Sequence, residues 1–297
     1  MSVFCNSFGA RAGRLANSRS LQLFQNQARG RNHDLSRGRR RASSRGAMNV
    51  FDRTAKIRQK NRACASPDAQ TYDYIRNEVA SQIVDRVCDV TSVPVDGAVV
   101  DEEHCLPFSD NSFDLIMSSL SLHWVNDLPG ALKEVWRVLR PDSPLVGAMF
   151  AGDTLFELRS SLQLAEMERE GGFSPHISPF VQVSDIGSLL NRAGFTITTI
   201  DTDEIQVNYP SMYEVIQDLK GMGESNCAWN RRHYIRRSTL TAAAAIYHDM
   251  FGAEENGVSA TLQILYFIGW KPDHSQRGPA PRGSAGASLK DIGSHTT

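Results

Sequence analysis

The spacing of apolar residues predicts alternating helices and strands from residue 72 onwards. Between 72 and 87, apolar side chains recur every three or four positions, which is the spacing of one helix face. The run 113–117 follows a polar turn and is apolar without helical gaps, so we predict a short buried strand there. A second strand is predicted at 145–150.

A helix is predicted between these two strands. Apolar residues from Leu128 to Leu139 keep helical spacing, Asn126 or Asp127 precedes them as a cap, and Pro141 ends the pattern. A strand–helix–strand unit has a right-handed crossover, which makes its two strands parallel neighbours in a covered sheet. The sequence therefore predicts an α/β fold.

The rest of the chain predicts further elements of the same two kinds. We expect helices at 154–170, 183–193, 211–220 and 240–251, and strands at 195–201 and 262–270. Gly194 stands where a left-handed helix cap is needed. The folded domain is predicted to span 48–270. Residues 271–297 are rich in Pro, Gly and Ser, and we predict that they form a mobile tail.

The amino-terminal segment differs from the rest in charge. Residues 1–47 contain ten Arg, no Lys and a single acidic residue, whereas the whole chain has a net charge of -1. Basic, Ser-rich and weakly amphipathic segments are typical of mitochondrial transit peptides, which we predict here. The alternative is a basic arm that contacts nucleic acid or anionic lipid. With a transit peptide, the favoured interpretation, we predict no nucleic-acid partner.

Membrane, disulfide and metal signals are weak. No apolar run approaches the ~18 residues of a membrane span. The five cysteines form no C-x-x-C pair, which favours a reducing compartment. None of the eight histidines begins an H-x-D or H-x-E pair of the kind expected in an iron site of two histidines and a carboxylate, and we predict no metal site.

Several segments resemble known methyltransferases. LPF at 106–108, FDL at 113–115 and VLRPD at 138–142 resemble the second half of class I S-adenosylmethionine-dependent methyltransferases. SSLSLHWVND at 118–127, GGFSPH at 171–176 and GMGESN at 221–226 resemble the mitochondrial complex I assembly factor 5 family, an arginine-hydroxylase branch related to the methyltransferases of biotin synthesis.

The resemblance implies a fold and a function. The fold would be a class I methyltransferase-like, Rossmann-like sheet with helical cap insertions at about 151–230. S-adenosylmethionine is the implied cofactor. The implied role is assembly of complex I on the matrix side of the inner mitochondrial membrane, where peripheral membrane association is expected. The implied partner is an iron–sulfur subunit of that complex, the target of arginine hydroxylation.

The resemblance also places cofactor residues. Asp101 and Glu102 stand where the family's acidic residue meets the adenine amino group; the alternative is a solvated acidic loop. Ser118, Ser119 and Leu120 would border the methionine end of the cofactor.

Three residues are weak candidates for catalysis. His123 and Trp124 would line the substrate side, although a structural histidine and a packed tryptophan explain them as well. His176 is a further candidate, and a surface histidine is its alternative. GMGESN at 221–226 begins like a dinucleotide fingerprint, but it follows a predicted helix and not a strand, so we reject that interpretation.

One departure from the family limits these implications. The family places two strands and a glycine-rich loop before the acidic residue, and a βαβ unit needs ~30 residues. Only 25 residues separate the helix at 72–87 from the strand at 113, and 22 of them form the segment 91–112. We therefore predict an incomplete sheet, with these elements missing near 91–97, and loss of cofactor binding.

Three functional hypotheses stay open. The first is an enzyme that modifies a protein arginine, with the acidic segment 201–204 attracting the guanidinium. The second is a non-catalytic assembly factor that binds a complex I subunit through the predicted cap. The third is an unproductive splice variant that does not fold stably.

Overall fold

The computed structural model describes residues 49–90, 106–252, 257–278 and 282–284. The helices in these ranges are α1 (Arg53–Cys64), α2 (Tyr74–Val90), α3 (Leu128–Val138), α4 (Phe156–Glu170), α5 (Val183–Ala193), α6 (Met212–Gly221) and α7 (Arg237–Phe251). The strands are β1 (Ile116–Ser119), β2 (Pro144–Phe150), β3 (Thr196–Tyr209) and β4 (Val258–Trp270). The segment predicted to lack the glycine-rich loop lies outside the described residues.

The four described strands form one mixed sheet in the order β1-β2-β4-β3. β1 and β2 are parallel, with Ile116 opposite Leu145, which confirms the predicted strand–helix–strand unit. β4 runs antiparallel to both β2 and β3. The α/β class predicted from the sequence is therefore confirmed.

Helices cover both faces of this sheet. Every residue of β2 is buried, as expected for a strand with packing on two sides. Apolar side chains of α3 and α5 pack on one face, and those of α2, α4, α6 and α7 pack on the other. Within the described part of the chain, the helices are too short or too polar to span a bilayer.

The cap of α5 confirms a detail of the sequence analysis. Gly194 has a φ of +100°, a left-handed conformation that favours glycine. Its carbonyl accepts a hydrogen bond from the indole nitrogen of Trp136 at 3.1 Å. The turn after α5 is thereby fixed against α3.

Several elements differ from the prediction, and β4 and α7 begin at 258 and 237 and not at 262 and 240. β1 begins at Ile116 and not at 113, because Phe113 forms only an isolated bridge with Leu139. β3 continues to Tyr209, well beyond 201. Most of its residues are exposed and many are polar, so the hydrophobicity pattern does not reveal the second half of the strand. α1 was not predicted, because its polar sequence lacks an apolar stripe; Asp52 caps it by accepting from the amide of Ala55 at 3.0 Å.

Candidate functional site

The chain reverses sharply at the carboxyl end of β1. Leu120 has a φ of +47°, and its amide donates to the carbonyl of Ala148 at 2.9 Å. Two predicted cofactor residues, Ser118 and Leu120, are buried, and Ser119 is half-buried. The Ser118 hydroxyl lies 3.0 Å from that of Ser121, so its polar atom is already satisfied within the protein.

His123 follows this reversal in a short 3₁₀ turn, Leu122–Trp124. Its side chain is fully buried, with ring centroids 4.8 Å from Phe150 and 5.8 Å from Phe180. Neither ring nitrogen makes a hydrogen bond within the described residues, although Nε2 lies 3.5 Å from a carboxylate oxygen of Glu224. Burial lowers the pKa of His123, and the opposing attraction of Glu224 does not reverse this. The ring is therefore neutral at physiological pH.

Trp124 and Glu224 form the polar centre of the site. The indole Nε1 of Trp124 donates to Oε2 of Glu224 at 2.6 Å, and Phe51 packs edge-on against the indole at 5.4 Å. Burial acts to raise the pKa of Glu224, but the ammonium groups of Lys60 and Lys56 hold that pKa below its usual range. Glu224 is therefore a buried carboxylate that stays ionised.

Lys56 brings α1 into the same site. Its Nζ donates to the carbonyls of Gly223 and Ser225 at 3.1 and 2.7 Å and lies 3.5 Å above the ring of Trp124. Burial lowers the pKa of Lys56 to about 8. We call Lys56, His123, Trp124 and Glu224 the Trp124 cluster.

Sequence reasoning found half of this cluster. It named His123 and Trp124, but missed Lys56 and Glu224, which reach the site from segments remote in the chain. The sequence signal near Glu224 was limited to the two glycines of GMGESN, and the structure gives each of them a packing role. Gly223 has a φ of +73°, and a Cβ there would lie 3.2 Å from the backbone of Lys60. A Cβ on Gly221 would lie 2.5 Å from the ring of Tyr72. Gly221 is the last residue of α6, so the motif follows a helix and not a strand.

The structure places His176 in a different set of contacts. Its Nε2 lies 2.8 Å from Oε1 of Glu166 and 3.2 Å from the hydroxyl of Ser174. Ser174 also donates its amide to Glu166 at 2.6 Å. One hydrogen bond, from Nδ2 of Asn226 to the carbonyl of Pro175 at 2.9 Å, joins this loop to the segment that carries Glu224.

The acidic segment at 201–204 lies far from the Trp124 cluster. Asp201 is in β3, three strand positions from β1 in the sheet, or roughly 14 Å at the usual strand spacing. Its carboxylate pairs with the guanidinium of Arg86 at 2.7 Å. Asp201 thus already binds an arginine, but one that belongs to this chain.

The described residues do not fit S-adenosylmethionine. Such a cofactor would lie beyond the carboxyl ends of the parallel strands, and the residues that follow β1, 120–124, are all buried against the protein. Two pockets, one beside His176 and one between α3 and α5, measure about 80 and 60 Å³, against roughly 300–1,000 Å³ for ligand sites. Asp101 and Glu102 lie outside the described residues. Within those residues, no group of three metal-ligating side chains is present.

Comparison with known proteins gives the family. A methyltransferase domain model matches residues 62–147. The mitochondrial arginine-hydroxylase NDUFAF5 of Danio rerio is 50% identical over 302 residues, which cover 87% of this chain and 94% of the zebrafish protein. This chain belongs to the arginine-hydroxylase NDUFAF5 family. The Homo sapiens protein of the same name is 49% identical, covering 86% of each chain.

The methyltransferase relationship of the NDUFAF5 family is visible in a second group of relatives. Malonyl-[acyl-carrier protein] O-methyltransferase 1 of Coxiella burnetii is 34% identical over 168 residues, or 57% of each chain. The class I methyltransferase-like fold predicted from the sequence is confirmed by these matches and by the parallel β1–β2 unit.

The zebrafish match also shows that this chain is shorter inside the aligned span. The match extends over 302 positions, but 87% of a 297-residue chain is about 258 residues, so about 44 positions lack a counterpart here. Together these positions exceed the ~30 residues that a whole βαβ unit needs.

Proposed function

We propose that this protein acts in the assembly of mitochondrial complex I, as an arginine-hydroxylase-type factor that recognises an iron–sulfur subunit of the complex. The observation that carries the proposal is the 50% identity over 94% of the zebrafish protein, whose name gives both the activity and the compartment. We place the action of this chain on the matrix side of the inner membrane, after import directed by residues 1–47.

The Trp124 cluster shows how this chain holds a cation of its own. An aromatic face and an ionised, buried carboxylate stabilise a cation together. In the structure that cation is the ammonium of Lys56, 3.5 Å above the Trp124 ring. The cluster therefore attaches α1 to the loops after β1 and α6, and the proposed recognition of the subunit rests on the family match.

We propose further that this chain does not bind S-adenosylmethionine. The shortfall of about 44 positions against the zebrafish protein fits the elements that we predict to be missing near 91–97, and the residues that follow β1, 120–124, are buried against the protein. The predicted domain of 48–270, with a cap at about 151–230, would then serve binding of the subunit.

Rescue of complex I assembly tests the proposal. The 297-residue chain is expressed in cells that lack their own NDUFAF5, and import and abundance are checked first. Native gels then report assembled complex I, and mass spectrometry reports hydroxylated arginine on its iron–sulfur subunits. We expect both to return. Neither returning, at normal import and abundance, would contradict the proposal. Assembly without hydroxylation would support the assembly role and reject the enzymatic one.

A further inference from the structure

The loop that carries the GGFSPH motif, 171–176, folds around the buried side chain of Glu166. Glu166 accepts hydrogen bonds from the amide of Ser174 at 2.6 Å and from Nε2 of His176 at 2.8 Å, and Arg232 lies 3.4 Å away. Burial acts to raise the pKa of Glu166, but the hydrogen bonds from Ser174 and His176 hold that pKa below its usual range. Glu166 is therefore an ionised carboxylate that fixes the loop against α4.

Glu166 also fixes the orientation of the His176 ring. An ionised carboxylate can only accept a hydrogen bond, so Nε2 of His176 carries a proton and donates it. The second ring nitrogen, Nδ1, makes no hydrogen bond within the described residues, although only 11% of the His176 side chain is exposed. A ring held in this way presents one nitrogen to whatever binds beside it.

Ser174 and His176 do not form a nucleophile and its base. The hydroxyl of Ser174 lies 3.2 Å from Nε2, the nitrogen that already donates to Glu166, so no lone pair of the ring faces it. The Ser174 side chain is buried and its amide is also bonded to Glu166. The use of this loop must therefore lie in binding.

A small pocket lies beside the His176 ring. It measures about 80 Å³, and it is lined by Arg159 and Gln163 of α4 and by residues 173–177 of the loop. An engineered cavity of roughly 150 Å³ holds benzene, so one of about half that volume suits a group of about three or four heavy atoms. A whole cofactor is too large for it.

Arg159 gives this pocket a positive charge. It forms no ion pair within the described residues, and its Nη2 donates to the carbonyls of Gly152 and Thr154 at 3.0 and 3.3 Å. Its Nη1 and Nε make no hydrogen bond in this part of the chain, and neither does the side chain of Gln163, one helical turn further on. Both carboxylate oxygens of Glu166 are already taken by donors of the protein. The pocket thus offers hydrogen-bond donors and a cation, which favours an anion.

We propose that the pocket between α4 and the loop 171–177 binds a carboxylate group. A carboxylate is of the right size, and it matches the guanidinium of Arg159 in charge and in planar shape. Gln163 would donate a further hydrogen bond, and Nδ1 of His176 would donate when the ring is protonated. Phe173 lines the pocket and is 62% exposed, so its ring would contact the chain that carries the carboxylate. This site does not rest on the proposed function.

NMR of the full chain, with acetate as the probe, tests the proposal. Sodium acetate is titrated at constant ionic strength against sodium chloride, and the ring C–H signal of His176 is followed. The variant His176→Gln identifies that signal by its loss. We expect a saturable shift with a millimolar Kd, since the ligand is very small. Acetamide, which has the same size but no charge, should cause no saturable shift.

A pair of variants on α4 assigns the binding to Arg159. Arg159→Gln should bind acetate about tenfold more weakly, because a hydrogen bond between charged groups is lost. Arg169→Gln is the matched control, since it removes the same charge from an exposed position of α4 that does not line the pocket. It should bind as the wild type does, and both variants should keep the wild-type thermal melt.

Three results would overturn the proposal: no saturable shift with acetate, an equal shift with acetamide, or an equal loss of binding in Arg169→Gln. The acetate and acetamide titrations use the unchanged chain, so the test does not depend on the folding of a variant. Complex I rescue does not enter this assay, and either idea can fail alone.

A pair of peptides separates two sources of the carboxylate. Acetyl-Ala-Glu-Ala-amide carries a side-chain carboxylate, and acetyl-Ala-Gln-Ala-amide is its uncharged control. Once acetate binding is established, tighter binding of the Glu peptide than of acetate would assign the site to an acidic side chain of a protein. Weaker binding of that peptide than of acetate would assign the site to a small free acid.

Discussion

The indole nitrogen of Trp124 donates a hydrogen bond to the carboxylate of Glu224 across 2.6 Å. This bond joins the loop after β1 to the loop after α6, segments that lie 100 residues apart in the chain. Lys56 covers the bond from α1 and donates to the carbonyls on both sides of Glu224. The site is therefore assembled from three remote segments around one buried carboxylate.

Trp124→Phe should lower the free energy of unfolding by about 1.5–3 kcal/mol, because Glu224 loses a hydrogen bond to a charged group in a buried setting. Urea unfolding measures the change. Trp229→Phe is the control, since Trp229 is 61% exposed and surface substitutions usually change stability by less than about 0.5 kcal/mol. Equal effects of the two variants would contradict a stabilising role for the Trp124–Glu224 bond.

Lys56→Met should loosen α1. The carbonyls of Gly223 and Ser225 lose their donor, and each buried unsatisfied group costs about 1–3 kcal/mol. Amide hydrogen exchange in 53–64 should become faster than in the wild type. Arg58→Met, an exposed change on the same helix, should leave exchange unaltered. Faster exchange in that variant as well would show that the stability of α1 depends on its positive charge and not on the hydrogen bonds of Lys56.

His123 should make stability depend on pH below about 6.5. Burial lowers its folded pKa from the ordinary 6.5, so the unfolded chain binds a proton in this range that the folded chain does not. Stability contributed by neutral His123 is present above pH 6.5 and is lost as the pH falls. The variant His123→Phe should therefore show a shallower decline of unfolding free energy between pH 6.5 and 5. His248→Phe, an exposed histidine on α7, is the control; an unchanged slope in His123→Phe would refute the assignment.

Gly147→Ala should destabilise the sheet. Gly147 pairs with Phe267 between β2 and β4, and a Cβ at Gly147 would lie 2.2 Å from the Phe267 ring. Overpacking of this kind typically costs about 1–3 kcal/mol. Gly172→Ala is the matched control, because nothing lies within 4 Å of a Cβ there. Thermal melts of the two variants should differ clearly, and identical melts would mean that Phe267 moves aside freely.

The sequence predicted the elements whose apolar pattern is strong. The helical stripe of α3, the apolar run of β2 and the glycine after α5 each depend on neighbours within one turn or strand, so local spacing reveals them. α1 was not predicted because only Lys56 and Ala63 are buried on an otherwise polar helix. β3 was predicted too short because its outer residues stay polar and exposed.

The candidate site was predictable only in part for the same reason. His123 and Trp124 stand in a segment that resembles a family, and the structure buries both. Their partners are fixed by tertiary packing: Glu224 gains its role from a hydrogen bond across 100 positions, and Lys56 from one across 167. No local sequence pattern predicts contacts between residues so far apart in the chain. His176 shows the converse, because its motif was recognised but its contacts are with Glu166 and Ser174.

Titration calorimetry with S-adenosylmethionine decides whether this chain has lost the cofactor site of its family. The 297-residue chain is titrated at micromolar concentration, with an S-adenosylmethionine-dependent methyltransferase as the positive control. Because about 44 positions of the zebrafish protein have no counterpart here, enough for a βαβ unit of ~30 residues, we predict no binding heat in the micromolar range. A saturable isotherm with a micromolar Kd would refute the loss of the cofactor site, since it would require a site that the described residues do not form.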